Sequence, residues 1–145
     1  MVLVSYSGFA NTVTIQKPSG VLFNHVTPEG TPYDPFLRSA FGKNYFIFDI
    51  GDNGFTGPSP IAGSMPREAF DANGKPIYGY LVIGYVVTAK GSAVDPVVIK
   101  STDKRINVTA FYAMKGWRFT PAVYANSNVA SLAVQEFYFR APNGI

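Results

Sequence analysis

Nine carboxylates and a single histidine are the groups of this chain best suited to moving protons, and their spacing assembles no familiar reaction centre. Glu29, Glu68 and Glu136, together with the aspartates, could supply the carboxylate pair of a glycoside hydrolase, but nothing in the sequence brings two of them together. His25 lies in a mixed apolar segment with no acid or nucleophile beside it, which reads as a packed or surface side chain rather than a general base. Asp49, Asp52 and Asn53 cluster, yet the alternating ligands of a calcium loop are missing, so a turn is expected and no metal site. Asn107-Val108-Thr109 fits the glycosylation pattern but falls within a predicted helix. There is no G-x-S-x-G, no phosphate-binding glycine loop and no histidine pair, and the lack of Cys removes thiolate chemistry and disulfides. The expectation is a protein that is not an enzyme and carries no cofactor.

What must then be explained is a chain of 145 residues that is 47% hydrophobic and only 14% charged. Such a chain buries a core, and its many Gly and Pro residues speak against a helical bundle. The net charge of +3 is spread over scattered Lys and Arg residues, with no run longer than Lys104-Arg105, so no basic stripe points to nucleic acid. No apolar run approaches the roughly 20 residues needed to span a bilayer. The opening Met1 to Ala10 has no basic residue ahead of its short apolar run, so no leader is expected within it.

The first 64 residues alternate without helical period. Val2, Val4 and Tyr6 read as one face of a short strand, continued by Val13 and Ile15; Lys17-Pro18-Ser19-Gly20 is a turn, and Val21 to Val26 a second apolar run. Thr27 to Pro35 reads as loop. Asp34 to Gly42 can form a short helix, with Asp34 as N-cap, Pro35 at the first helical position and Gly42 past the end. Tyr45 to Ile50 reads as a strand covered on both faces, and Phe55 to Ser64 as a connector that marks the boundary between a strand-rich extension, 1–64, and a domain, 65–145.

In the second half, Met65 to Phe70 predicts a single helical turn and Asp71-Ala72-Asn73-Gly74 a reverse turn. Ile77 to Ala89 is a long strand in which neither alternating set is polar, so both faces need cover. Lys90-Gly91-Ser92 turns the chain into a return strand, Ala93 to Lys100, where Pro96 is tolerable only at an edge or a bulge. After the capping candidates Ser101, Thr102 and Asp103, a single stripe of 3.6 period formed by Ile106, Ala110, Ala113, Met114 and Trp117 predicts the main helix. Arg118 is placed to meet the negative end of that helix, and Pro121 prevents its continuation. Asn126 to Asn128 is a turn, and Val129 to Arg140 a final strand.

Residues 66–139 resemble the C-terminal domain of the TonB energy-transducer family. The resemblance is carried by Pro66-Arg67-Glu68-Ala69, by Gly79 ahead of the Val-rich strand, by Lys90-Gly91-Ser92-Ala93-Val94 and by Val98-Ile99-Lys100-Ser101. It continues through Ala110 and Ala113, the run Trp117-Arg118-Phe119-Thr120-Pro121-Ala122, Val129 and the closing Phe137-Tyr138-Phe139. It implies an α+β fold: a small antiparallel sheet with one main helix packed on it, here preceded by the strand-rich extension. It also implies a periplasmic protein-interaction module, with any signal peptide or anchor lying outside this chain. Its partner would be an outer-membrane receptor or another envelope protein, whose extended peptide adds to the edge of the last strand. On this sequence that edge comprises Val129, Ser131, Ala133, Gln135, Phe137 and Phe139, which could equally pair with a second copy of the chain. Trp117, Arg118, Phe119, Pro121 and Ala122 would then be a structural motif joining helix to strand, with Trp117 and Phe119 read as core residues before ligand contacts. The family's membrane helix and Pro-rich spacer have no counterpart here.

A different reading starts from the aromatic content. Tyr6, Tyr33, Tyr45, Tyr78 and Tyr124 could stack on sugar rings and make the protein an envelope carbohydrate- or cell-wall-binding protein, although strands recruit aromatics for packing alone.

Overall fold

A computed structural model describes residues 3–8 and 11–16 as backbone and residues 20–26 and 32–141 in full. The expected turn at Lys17 to Ser19, most of the loop from Thr27, and the side chains of Val2, Tyr6, Val13, Ile15 and Glu29 lie outside the described residues.

Strands β1 (Leu3–Gly8) and β2 (Asn11–Gln16) pair as an antiparallel hairpin. Strand β3 (Val21–His25), helix α1 (Asp34–Phe41) and strand β4 (Phe46–Ile50) follow, and β3 and β4 run parallel, with Phe23 opposite Phe48. Asp34 is the first residue of α1 rather than its cap: Tyr33 holds the N-cap position, and the Asp34 carboxylate accepts instead from Arg38 Nε at 2.6 Å and Asn24 Nδ2 at 3.3 Å.

The stretch read as a connector carries two short strands, β5 (Phe55–Thr56) and β6 (Ser59–Ala62), which pair with elements far along the chain. The helical turn expected over Met65 to Phe70 does not form. Instead β7 (Ala69–Phe70) pairs with β8 (Pro76–Ile77), because the Asp71 carboxylate accepts the backbone N–H groups of Asn73 and Lys75 and closes a hairpin that a single turn of helix cannot rival.

Strand β9 (Gly79–Val87) is the axis of the molecule, and Leu81 to Val87 are all buried. It pairs antiparallel with β10 (Ala93–Ser101) on one side. Pro96 meets both of its conditions, since β10 is an edge strand and its register shifts between Val94 and Val97, where Asp95 takes φ 53°. Helix α2 (Lys104–Met114) starts at Asp103, whose carboxylate accepts from Arg105 N–H at 2.9 Å.

Beyond α2 the Trp117 run is more than a hinge. It forms β11 (Arg118–Thr120), paired with β6, and β12 (Ala122–Tyr124), paired with both β5 and β13 (Ser127–Val129). Ala125 and Asn126, both at positive φ, make the turn between β12 and β13, one residue earlier than the sequence implied. Strand β14 (Ser131–Phe139) then pairs with β9 along its full length, from Ser131 opposite Val87 to Phe139 opposite Gly79. The expected single strand from Val129 to Arg140 is thus broken at Ala130, because the Val129 end is drawn into a hairpin with Ala122.

The central sheet has the order β10-β9-β14-β3-β4. It is mixed, since β3 joins β14 in parallel at Ser131 opposite Phe23. One face carries α2: Ile106, Ala110 and Met114 pack with Leu81, Ile83, Tyr85, Val87 and Phe137. The other carries α1, whose Leu37 and Phe41 pack with Leu22 and Val86, flanked by Leu132 and Val134. Gly84 makes the second contact possible, because a Cβ there would lie 2.6 Å from Leu37 Cδ2.

Candidate functional site: the outer edge of the last strand

In a strand the backbone N–H and C=O of successive residues point to alternate sides, so one contact on β14 fixes the direction of the others. Phe23 N–H donates to the Ala130 carbonyl at 3.0 Å, which directs the backbone groups of Ala130 outward, away from β9. By alternation the outward groups of β14 belong to Leu132, Val134, Glu136 and Tyr138. Those of Ser131, Ala133, Gln135, Phe137 and Phe139 face β9. Among the described residues no strand pairs with the outer edge of β14 beyond Ser131. A further mark of that vacancy is that Gln135 Nε2 donates to the Glu136 carbonyl at 3.0 Å, so a neighbouring side chain takes up an acceptor that no strand has claimed.

These facts change the set of residues named for the edge. Val129 lies in β13 and is not part of the strand, while the start of β14 at Ser131 is already engaged by β3. Ala133, Gln135, Phe137 and Phe139 remain on the strand, but as side chains on its α2 face, with Phe137 buried in the core. Sequence alternation identifies two sets of residues without saying which set turns its backbone outward. Only the bond from Phe23 decides it.

Beside the edge, on the α2 face, lies a groove of about 550 Å³ between Pro60 and Ile61 on one side and Ala133 and Gln135 on the other, with Tyr85 and Trp117 among its lining residues. Its outer wall is held by Trp117, whose Nε1–H donates to the Ser64 carbonyl at 2.9 Å. Gly63 is required there, since it sits at φ 141° and a Cβ would lie 2.5 Å from Trp117 Cδ1. Trp117 is half-buried and Phe119 buried, both against Tyr85, whose hydroxyl burial pushes up to about 12. The Arg118 guanidinium donates to the Lys115 and Trp117 carbonyls at the end of α2, and Ala122 is fully buried.

The opposite face of the edge is polar and aromatic. Tyr33 Oη donates to Glu136 Oε1 at 2.8 Å, Tyr138 Oη to Oε2 at 3.2 Å, and the Tyr80 and Tyr138 rings lie 4.9 Å apart. The Tyr33 hydroxyl first, then those of Tyr80 and Tyr138, hold the Glu136 carboxyl below its ordinary range, while Tyr80 is pushed up to about 12, chiefly by its hydrogen bond with Tyr33. The other tyrosines considered for sugar binding are scattered: Tyr45 donates to Asp95, Tyr124 packs with Phe23 and Phe48, and Tyr78 stands exposed. His25 Nε2 meets Asp52 Oδ1 and its ring stacks on Phe55, and among the described residues no cluster of His, Asp or Glu could hold a metal ion. No helix among them is long and apolar enough to cross a membrane.

The solution structure of the TonB C-terminal domain of Pseudomonas aeruginosa matches this chain with a TM-score of 0.50 and 25% identity, covering 63% of this chain and 90% of that one. The fold is TonB-like. No protein-family model matches the sequence, and neither does any curated protein. The α+β arrangement implied by the resemblance is therefore present, with α2 on one face of the central sheet and α1 on the other.

Proposed function

We propose that this protein is a non-catalytic interaction module of the bacterial periplasm that binds an extended peptide of an outer-membrane receptor, or of another envelope protein, by strand addition to β14. The observation that carries the reading is the outer edge of β14, which beyond Ser131 is unpaired among the described residues, on a TonB-like fold. A peptide strand would bond to the outward backbone groups of Val134, Glu136 and Tyr138 and displace the Gln135 side chain from the Glu136 carbonyl. Its alternate side chains would meet the groove beside Trp117 on one face and the tyrosine cluster around Glu136 on the other. In this reading residues 1–64 are an extension that closes the second face of a 65–145 domain, and transport or energy transduction is served through the receptor it engages. The same edge would admit a second copy of the chain.

The test is capture from an outer-membrane extract followed by amide hydrogen exchange on the complex. Capture of a receptor with new protection at the Val134, Glu136 and Tyr138 amides is expected. Retention on insoluble polysaccharide with no receptor captured, or capture that leaves those amides unprotected, sinks the proposal.

A further inference from the structure

Helix α2 carries a second apolar stripe, turned away from the core. Val108 and Tyr112 are spaced i, i+4 opposite the buried Ile106, Ala110 and Met114, and they are 68% and 75% exposed. Across from them Met65 is 73% exposed, and between the two lies a groove of about 830 Å³. Arg67 and Lys115 line this groove and no carboxylate does. Among the described residues neither cation takes part in an ion pair. An apolar groove with two uncompensated cations is complementary to an apolar segment that carries negative charge. Met, Tyr and Arg are also the residue types that interface cores favour.

We propose that this groove is a second docking site, which takes an acidic, apolar segment of a partner protein. Its concave form favours inserted side chains over a flat lipid surface, and its Met65 wall is fixed in advance because Trp117 holds Ser64. The site needs no free backbone edge, so it stands whether or not a strand adds to β14. It shares Gly63, Ser64 and Met65 with the groove beside that edge, which would let one partner occupy both.

Fluorescence anisotropy on the full chain tests this with a labelled peptide of Glu-Leu-Glu-Phe repeats, its counterpart with Gln for Glu, and vesicles of phosphatidylglycerol and phosphatidylcholine. The acidic peptide should bind about tenfold more tightly than the Gln peptide, and Arg67→Gln combined with Lys115→Gln should remove about that factor. Tyr112→Ser should weaken both peptides, and added salt only the acidic one. These side chains are exposed, so an unchanged melting temperature establishes that the variants are folded. No binding of the acidic peptide, equal affinity for the two peptides, indifference to the double substitution, or binding to the vesicles alone overturns the proposal.

Discussion

The two faces of the central sheet are closed by helices of unequal kind. Helix α2 has a buried stripe at helical period and a side-chain N-cap, and it lies beside the strands it covers both in sequence and in space. Helix α1 is shorter, has no side-chain cap and buries only Leu37 and Phe41. It reaches its place because Gly84, more than forty residues away, leaves room for Leu37. The first face is closed by a local pattern and the second by a fit between distant residues. The comparison teaches that α1 is bound to the central sheet by side-chain packing as well as by chain connection.

The strongest way to break that comparison is to empty each face in turn. Ile106→Ala and Leu37→Ala each remove a buried aliphatic side chain and should each cost about 2–5 kcal/mol. If the faces stabilise one cooperative unit, denaturant unfolding of both variants stays a single transition; a separate early transition in Leu37→Ala alone would mean that the α1 face melts independently. Gly84→Val tests the fit itself. Overpacking against Leu37 should cost about 1–3 kcal/mol, and pairing it with Leu37→Ala should recover part of the loss in a double-mutant cycle.

A smaller effect is expected at Ser131, which is buried where β14 meets both β9 and β3. Its hydroxyl has no hydrogen-bond partner among the described residues. Ser131→Ala should be neutral or stabilise by up to about 1 kcal/mol, and a clear loss in melting temperature would reveal a partner for that hydroxyl. The smallest effect sharpens the contrast in capping. The side-chain and backbone hydrogen bonds from Arg105 lower the Asp103 carboxyl from 3.8 to about 2. A depressed acid contributes stability above its unfolded pKa and loses it as pH falls through the folded value. The Asp103 contribution to α2 should therefore be complete above pH 4 and fade towards pH 2. Comparing melting temperatures of the parent and Asp103→Asn across that range measures it, and parallel curves would refute it.

Several elements were legible from residue order. The α2 stripe, the Asp71 turn, the doubly apolar β9 and the placement of Pro96 all depend on neighbours within a few residues, and the TonB resemblance rests on the same local patterns. Less legible were β5, β6, β11 and β12. These are strands of two to four residues, too short to show a period, and the pairings of β5 with β12 and of β6 with β11 join residues more than fifty positions apart. The groove on the outer face of α2 went unread for a related reason, since Val108 and Tyr112 acquire meaning only when Met65 and Arg67 are brought opposite them.

By itself the sequence determined the composition of the core, the helix that seats on the sheet and the likeness to a TonB C-terminal domain, because burial and periodicity are properties of nearby residues. Tertiary structure alone decided which backbone groups of β14 face outward, since a period of two defines a pair of sets and only a distant donor, the Phe23 N–H, chooses between them.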